Sequence, residues 1–247
     1  INQIWTLFMT SLGIIPARYH SSRLPGKPLA DILGKSMIQR VYERAQQSKL
    51  DKIIVATDDQ RIVDEVNTFG GEVIMTSNEH ISGTDRCLEA LLSLEEKYDT
   101  VVNIQGDEPF IEPQQINQLV DAFTNQNMEI VTLAKCIENE EVLANLNKPK
   151  VNFDANGLAI SFDRLINSPF QKGTFFKHIG IYAYRPDILE KVCQLQPSSL
   201  EIEHKLEQWR WLENGYKLSV LETPFESHSV DTPADLKKII KRFGSSY

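Results

Sequence analysis

Apolar positions fall into two alternating rhythms along the first 140 residues. Short runs rich in β-branched residues, LGIIPA (12–17), DKIIVATDD (51–59), EVIMT (72–76), TVVNIQGDEP (100–109) and residues 129–137, predict buried strands. Between the first two, residues 36–48 place Met37, Val41 and Ala45 at i, i+4 and i+8, one apolar stripe of a helix. Helices are likewise predicted over 58–71, closed by glycine, and over 84–98 and 113–126. Strand then helix in steps of roughly 25–30 residues implies right-handed crossovers and a mostly parallel sheet.

After about residue 148 the rhythm changes. KVNFDANGLAISF has two strand-like halves around Asn156-Gly157, the mark of a hairpin. HIGIYAYRP (178–186) predicts another strand, followed by helices over 187–195 and 199–215. KLSVLET reads as a late strand, and TPADLKKIIKRF as a C-terminal helix with Pro233 in its first turn. With no linker-like or repetitive stretch, the reading is a single domain over 10–247 with an inserted hairpin region at about 150–185. Met9 is a candidate natural start, leaving 1–8 as an extension.

Composition narrows the function classes. At 41% hydrophobic and 24% charged over 247 residues the chain reads as a soluble globular protein. A formal net charge of −8 excludes whole-surface attraction to nucleic acid or anionic lipid, so positive charge must act locally. No apolar run approaches the ~20 residues of a membrane span. Cys87, Cys136 and Cys193 are far apart without a CxxC, which favours reduced thiols in a cytoplasm over disulfides or zinc.

Open parallel sheets bind ligands beyond the carboxyl ends of their strands, which selects 16–28, 57–59, 105–109 and 178–182. GIIPARYHSSRLPGKPL (13–29) places Arg18, Arg23 and Lys27 in a loop with glycine and proline. Forked arginines and a lysine point charge suit phosphates, but a stiff basic surface loop explains them equally well. Neither GxxxxGK[ST] nor GxGxxG is present, which weakens an NTPase or dehydrogenase reading. Asp107 and Glu108, in QGDEP, emerge from a buried strand, where a carboxylate needs a partner or a metal such as magnesium. Taken singly, Asp231 is best read as the cap of the last helix and Glu207 with Arg210 as an i, i+3 ion pair, while for SGTDR (82–86) contact to a base or carboxylate and capping by Thr84 are equally good readings.

Seven segments in order, IIPARYHSSRLPGKPL, IIVATDD, SGTDR, VNIQGDEP, KHIGIYAYR, LEQWR and VDTPADL, resemble the 3-deoxy-manno-octulosonate cytidylyltransferases, the CMP-Kdo synthetases of lipopolysaccharide synthesis. The resemblance runs from about residue 10 to 242. It implies a three-layer, Rossmann-like α/β nucleotide-diphospho-sugar transferase fold, a cytoplasmic homodimer, Mg²⁺ as cofactor, and transfer of CMP from CTP to Kdo with release of pyrophosphate. Sialic-acid cytidylyltransferases, which have a different opening loop, 8-amino-Kdo as acceptor, and a non-catalytic nucleotide-binding module are the alternatives. By the same resemblance Arg18, Lys27, Asp107 and Asp231 are catalytic, with Asp107 and Asp231 holding the metal. Ala17, Arg18, Arg23, Lys27, Thr57, Asp58, Ser82, Gly83 and Arg86 would contact the nucleotide. Arg86, Gln105, His178, Tyr182, Glu207 and Gln208 would contact the sugar. Three departures stand out: residues 1–8 lack a counterpart, the stretch 163–177 is short, and His204 stands where an acidic residue is expected.

Overall fold

The computed structural model describes residues 9–138, 140–165 and 174–244. The expected extension, residues 1–8, and the centre of the short 163–177 stretch lie outside the described residues.

Strand β1 (Ser11–Ala17) is buried on both faces, as an unbroken apolar run requires. Its alternation sends Ile15 and Ala17 into one core layer and Leu12 and Ile14 into the other. A small hairpin, β2 (Asp31–Ile32) and β3 (Lys35–Ser36), then leads into α1 (Met37–Ala45). Next come β4 (Lys52–Thr57), α2 (Gln60–Thr68), β5 (Val73–Met75), α3 (Gly83–Leu92), β6 (Thr100–Asn103), α4 (Pro113–Ala122) and β7 (Ile130–Cys136). A short α5 (Glu140–Leu143) precedes the hairpin of β8 (Lys150–Phe153) and β9 (Ala159–Asp163). The chain ends with β10 (Phe176–Tyr184), α6 (Pro186–Cys193), α7 (Ser199–His204), α8 (Gln208–Glu213), β11 (Leu218–Glu222) and α9 (Pro233–Phe243).

The main sheet runs β5-β4-β1-β6-β10-β7-β11, with β8 and β9 attached beside β10. Pairings among β5, β4, β1 and β6, and of β11 with β7, are parallel. β10 is antiparallel to both its neighbours. Of the region expected as an insert at 150–185, only β8 and β9 lie off the main path; β10 is a central strand. One face is covered by apolar side chains of α1, α2 and α4, including Val41, Ile62 and Ile116. The other is covered by α3, α6 and α8, including Cys87, Leu189 and Trp211. The result is the three-layer α/β architecture expected. Among the described residues the three cysteines are free, and no helix is long and apolar enough to cross a membrane.

Several predicted boundaries move for physical reasons. The strand expected over 100–109 stops pairing at Asn103, because the chain then crosses the end of β1. A Cβ on Gly106 would lie 2.8 Å from the Pro16 carbonyl oxygen, so only glycine fits this crossing. The helix expected over 84–98 ends at Leu92. The helix expected over 199–215 is two helices, broken where Lys205 adopts φ +54°. Helix α7 buries none of its side chains; the break turns Leu206, Gln208 and Trp211 inward.

Candidate active site

The loop after β1 is closed on itself by a hydrogen bond from Gly26 N–H to the Tyr19 carbonyl, 3.0 Å. Gly26, at φ +67°, makes the left-handed turn that begins a 3-10 turn at Lys27. The Tyr19 ring is covered by the Arg61 guanidinium, 3.3 Å from its centroid, and Arg61 forks onto Asp59 at 2.8 and 2.6 Å. That fork holds the Asp59 carboxyl below the usual carboxylate range. The basic loop is therefore braced against the start of α2.

Two carboxylates converge on this loop. Lys27 Nζ donates to Asp107 Oδ2 at 2.7 Å and to Asp231 Oδ1 at 3.3 Å, and Arg23 pairs with Asp231 at 2.9 Å. Asp231 is not the cap of the last helix: Thr232 accepts from Asp235 N–H, and the Asp235 carboxylate bonds back. The preceding Val230 N–H donates to the Asp107 carbonyl at 2.9 Å, which brings the two aspartates together. Convergence on one ammonium shows that both side chains can address a single cation. Among the described residues no group of three or more His, Cys, Asp or Glu surrounds a common point. A magnesium ion here would take its remaining oxygens from phosphate and water, the pattern usual for that ion.

Around these residues lie two adjoining cavities. The first, about 290 Å³, is lined by Ala17, Arg18, Arg23, Lys27, Ser82 and Arg86. The second, about 310 Å³, is lined by His178, Tyr182, Glu207 and Gln208. Gly83, Gln105 and Asp107 belong to both walls, so the cavities meet at the carboxylate. Nearly every residue expected at the nucleotide falls on the first, and those expected at the sugar fall on the second, except Arg86. Thr57 is fully buried at the end of β4, and neither it nor Asp58 reaches a cavity wall. Asp58 instead pairs with the buried Arg86 at 2.8 Å. Arg86 also donates to Thr76 Oγ1 and the Ser77 carbonyl, so its guanidinium holds the loops after β4 and β5 to α3.

The second cavity is built for uncharged recognition at its floor. His178 is buried, which pushes its imidazole down to about 3 and keeps it neutral. The Thr132 hydroxyl donates to the Ile181 carbonyl at 2.8 Å and so accepts from His178 Nε2–H at 3.0 Å, which leaves Nδ1 as the ring's acceptor. Gln208 Nε2 donates to the Tyr182 hydroxyl, whose ionisation burial pushes up. Gln208 Oε1 is buried with no protein partner among the described residues. The ion pair expected between Glu207 and Arg210 does not form: Arg210 forks onto Glu201 at 2.7 and 2.6 Å. Glu207 accepts from Thr84 Oγ1 at 2.8 Å, and burial pushes its carboxyl up. Thr84 is accordingly not the cap of α3; Ser82 is, in a capping box with Asp85.

The sequence reading missed one wall of this cavity. Lys148 and Ser227 carry no local motif; Glu108 sits in QGDEP and Lys177 opens KHIGIYAYR, but neither segment groups them into one wall. Burial next to Asp107 pushes the Glu108 carboxyl up to about 8, and burial brings the Lys177 ammonium down to about 8.

Residues 12–222 match the family model described as Cytidylyltransferase. The 3-deoxy-manno-octulosonate cytidylyltransferase of Parabacteroides distasonis is 50% identical over 246 residues, covering 94% of this chain and 97% of that one. That of Cytophaga hutchinsonii is also 50% identical, covering 92% and 95%. The chain belongs to the 3-deoxy-manno-octulosonate cytidylyltransferase family. Family membership extends to three dimensions: a solved CMP:2-keto-3-deoxy-manno-octonic acid synthetase complexed with CTP superposes with a TM-score of 0.90 at 40% identity, covering 96% of this chain and all of that one. A glucose-1-phosphate thymidylyltransferase-like protein from Bacillus anthracis, 20% identical with a TM-score of 0.68, shares the fold.

Proposed function

We propose that this chain transfers CMP from CTP to the anomeric hydroxyl of 3-deoxy-D-manno-octulosonate (Kdo), releasing pyrophosphate. The observation that carries this reading is the meeting of a basic cavity and a polyol-type cavity at Asp107. The buried, unpartnered Gln208 Oε1 suits a sugar hydroxyl, because a bound donor removes its desolvation cost. Membership of the family supports Kdo as the acceptor.

In this mechanism the C2 hydroxyl of the sugar attacks the α-phosphorus in line while pyrophosphate leaves on the opposite side. Arg18 and Arg23 grip the triphosphate and draw off charge as it develops on the leaving group. Lys27 exchanges the aspartates for phosphate oxygens, which releases both carboxylates toward the reacting centre. Asp107 and Asp231 would hold Mg²⁺, which supplies Lewis-acid polarisation of the phosphoryl oxygens when bound. Gln105, Tyr182 and Gln208 orient the sugar so that its C2 hydroxyl faces Asp107. With CTP, Mg²⁺ and Kdo the protein should release pyrophosphate, and chelation of the metal should abolish release. Release with sialic acid but not with Kdo, or none with either, would exclude this activity.

The same reading places the protein in the cytosol as a homodimer that supplies an activated sugar for lipopolysaccharide. The exposed apolar side chains Leu146, Ile160, Leu165 and Ile202 lie on or near the hairpin. Arg164 ties three of these segments together by donating to the carbonyls of Leu146, His204 and Lys205. Such an apolar face is suited to a second copy of the chain. Sedimentation should give twice the chain mass, and Leu146→Asp with Ile202→Asp should give monomers; a monomeric wild type removes the dimer.

A further inference from the structure

The acidic end of IIVATDD lies behind a cavity suited to an anion, and the mechanism gives Asp59 no task there. Asp58 and Asp59 each pair with an arginine, and the two arginines serve different parts of the cavity. Arg86, the partner of Asp58, lines the first cavity itself. Arg61, the partner of Asp59, lines neither cavity, and nor does Tyr19, the ring it covers. The Arg61 side chain is 54% exposed and that of Asp59 only 15%, so the fork keeps a surface arginine folded down over the ring. Tyr19 passes this restraint to the loop. A Cβ on Gly26 would lie 3.3 Å from its ring carbons and hydroxyl, so the ring packs directly on the left-handed turn. The stack of Asp59, Arg61, Tyr19 and Gly26 thus ends one residue before Lys27.

Arg18, Arg23 and Lys27 are like charges on one short loop, and their repulsion spreads a loop that nothing restrains. Binding a triphosphate would then cost the ordering of that loop, a cost removed in advance when the loop is already held. In the free protein Arg23 and Lys27 are held by Asp231 and Asp107. Phosphate must displace those contacts, whereas the stack on Tyr19 lies outside the cavity and survives the exchange. We propose that Asp59 and Arg61 are positioning residues for the triphosphate: clamped over Tyr19, they keep the basic loop in its phosphate-gripping shape while its cations change partners. The inference rests on the placement of the triphosphate in the first cavity and deepens it. Asp59 cancels the charge of Arg61, so the pair works through the shape of the loop and adds no net attraction of its own. The brace therefore favours CTP, whose outer phosphates the loop grips, over CMP, which lacks them.

The test titrates CTP and CMP calorimetrically into full-length protein with Mg²⁺ and no sugar, for wild type, Arg61→Ala, Asp59→Asn and the double variant. Wild type should bind CTP roughly ten- to a hundredfold more tightly than CMP, the range expected for charge-assisted phosphate contacts. That preference should fall roughly three- to tenfold in each single variant, the scale of one cation–π stack, with CMP affinity and melting temperature retained. The two substitutions change charge in opposite directions, so a common fall separates bracing from simple electrostatics. The double variant should be no worse than Arg61→Ala, because both residues act through one contact. Asparagine still caps α2, and the exposed Arg61→Ala keeps the test open if Asp59→Asn does not fold. A CTP preference unchanged in the folded variants, or raised in Asp59→Asn, overturns the brace while leaving the activity standing. A wild type that binds CMP as tightly as CTP removes the triphosphate from this loop, and the brace with it.

Discussion

Asp107→Asn should lower turnover by roughly 10²–10³-fold at saturating Mg²⁺ and CTP, the scale on which loss of one preorganised electrostatic group is felt. Asp107 stands where the two cavities meet and is one of two carboxylates converging on Lys27. The substitution keeps shape and hydrogen-bonding capacity but removes the charge. Asp231 still reaches Lys27 at 3.3 Å, so the loop should stay braced and the melting temperature should hold. The defect should therefore fall on kcat rather than on the affinity for either substrate. Single-turnover formation of CMP-sugar separates the two, and near-normal turnover at high magnesium would remove Asp107 from the mechanism.

Asp58→Ala should act through the fold. Arg86 is 3% exposed and Asp58 is its one carboxylate partner among the described residues, at 2.8 Å. Deleting that carboxylate leaves a buried guanidinium with only Thr76 and the Ser77 carbonyl as acceptors. A broken buried pair costs about 3 kcal/mol. For a chain of this size that is a fall of roughly 6–12 °C in melting temperature. Because Arg86 also lines the cavity proposed for the nucleotide, its displacement should raise the KM for CTP as well. A melting temperature within 2 °C of wild type, measured by calorimetry, would show that the pair is not a structural clamp.

Where the sequence was legible, the reason is periodicity. The β-branched run of β1 and the stripe of α1 each bury the residues that their spacing marks, from Ile14 to Val41. Residues whose roles depend on a single neighbour far along the chain were harder to read. Asp231 resembles a cap until Val230 is seen bonded to Asp107, 123 residues earlier in the chain. Arg86 lines the first cavity and also pairs with Asp58, a partner its own segment does not reveal, and Glu207 pairs with Thr84 rather than with its helical neighbour. Lys148 and Lys177 share a cavity but no segment, so no local pattern groups them into one wall.

The place of β10 has a consequence for synthesis. The chain reaches β7 before β10, yet β10 must slot between β6 and β7. As the polypeptide leaves the ribosome, β5, β4, β1 and β6 can already pair, which leaves β6 as an apolar edge with no neighbour. That edge stays open for roughly 80 further residues, several seconds at ordinary elongation rates. The floor of the second cavity, His178 and Tyr182, arrives on the strand that closes that edge. Nascent chains stalled before residue 176 should thus be the species that chaperones capture, and the same event that hides the sticky edge lays the floor of the second cavity.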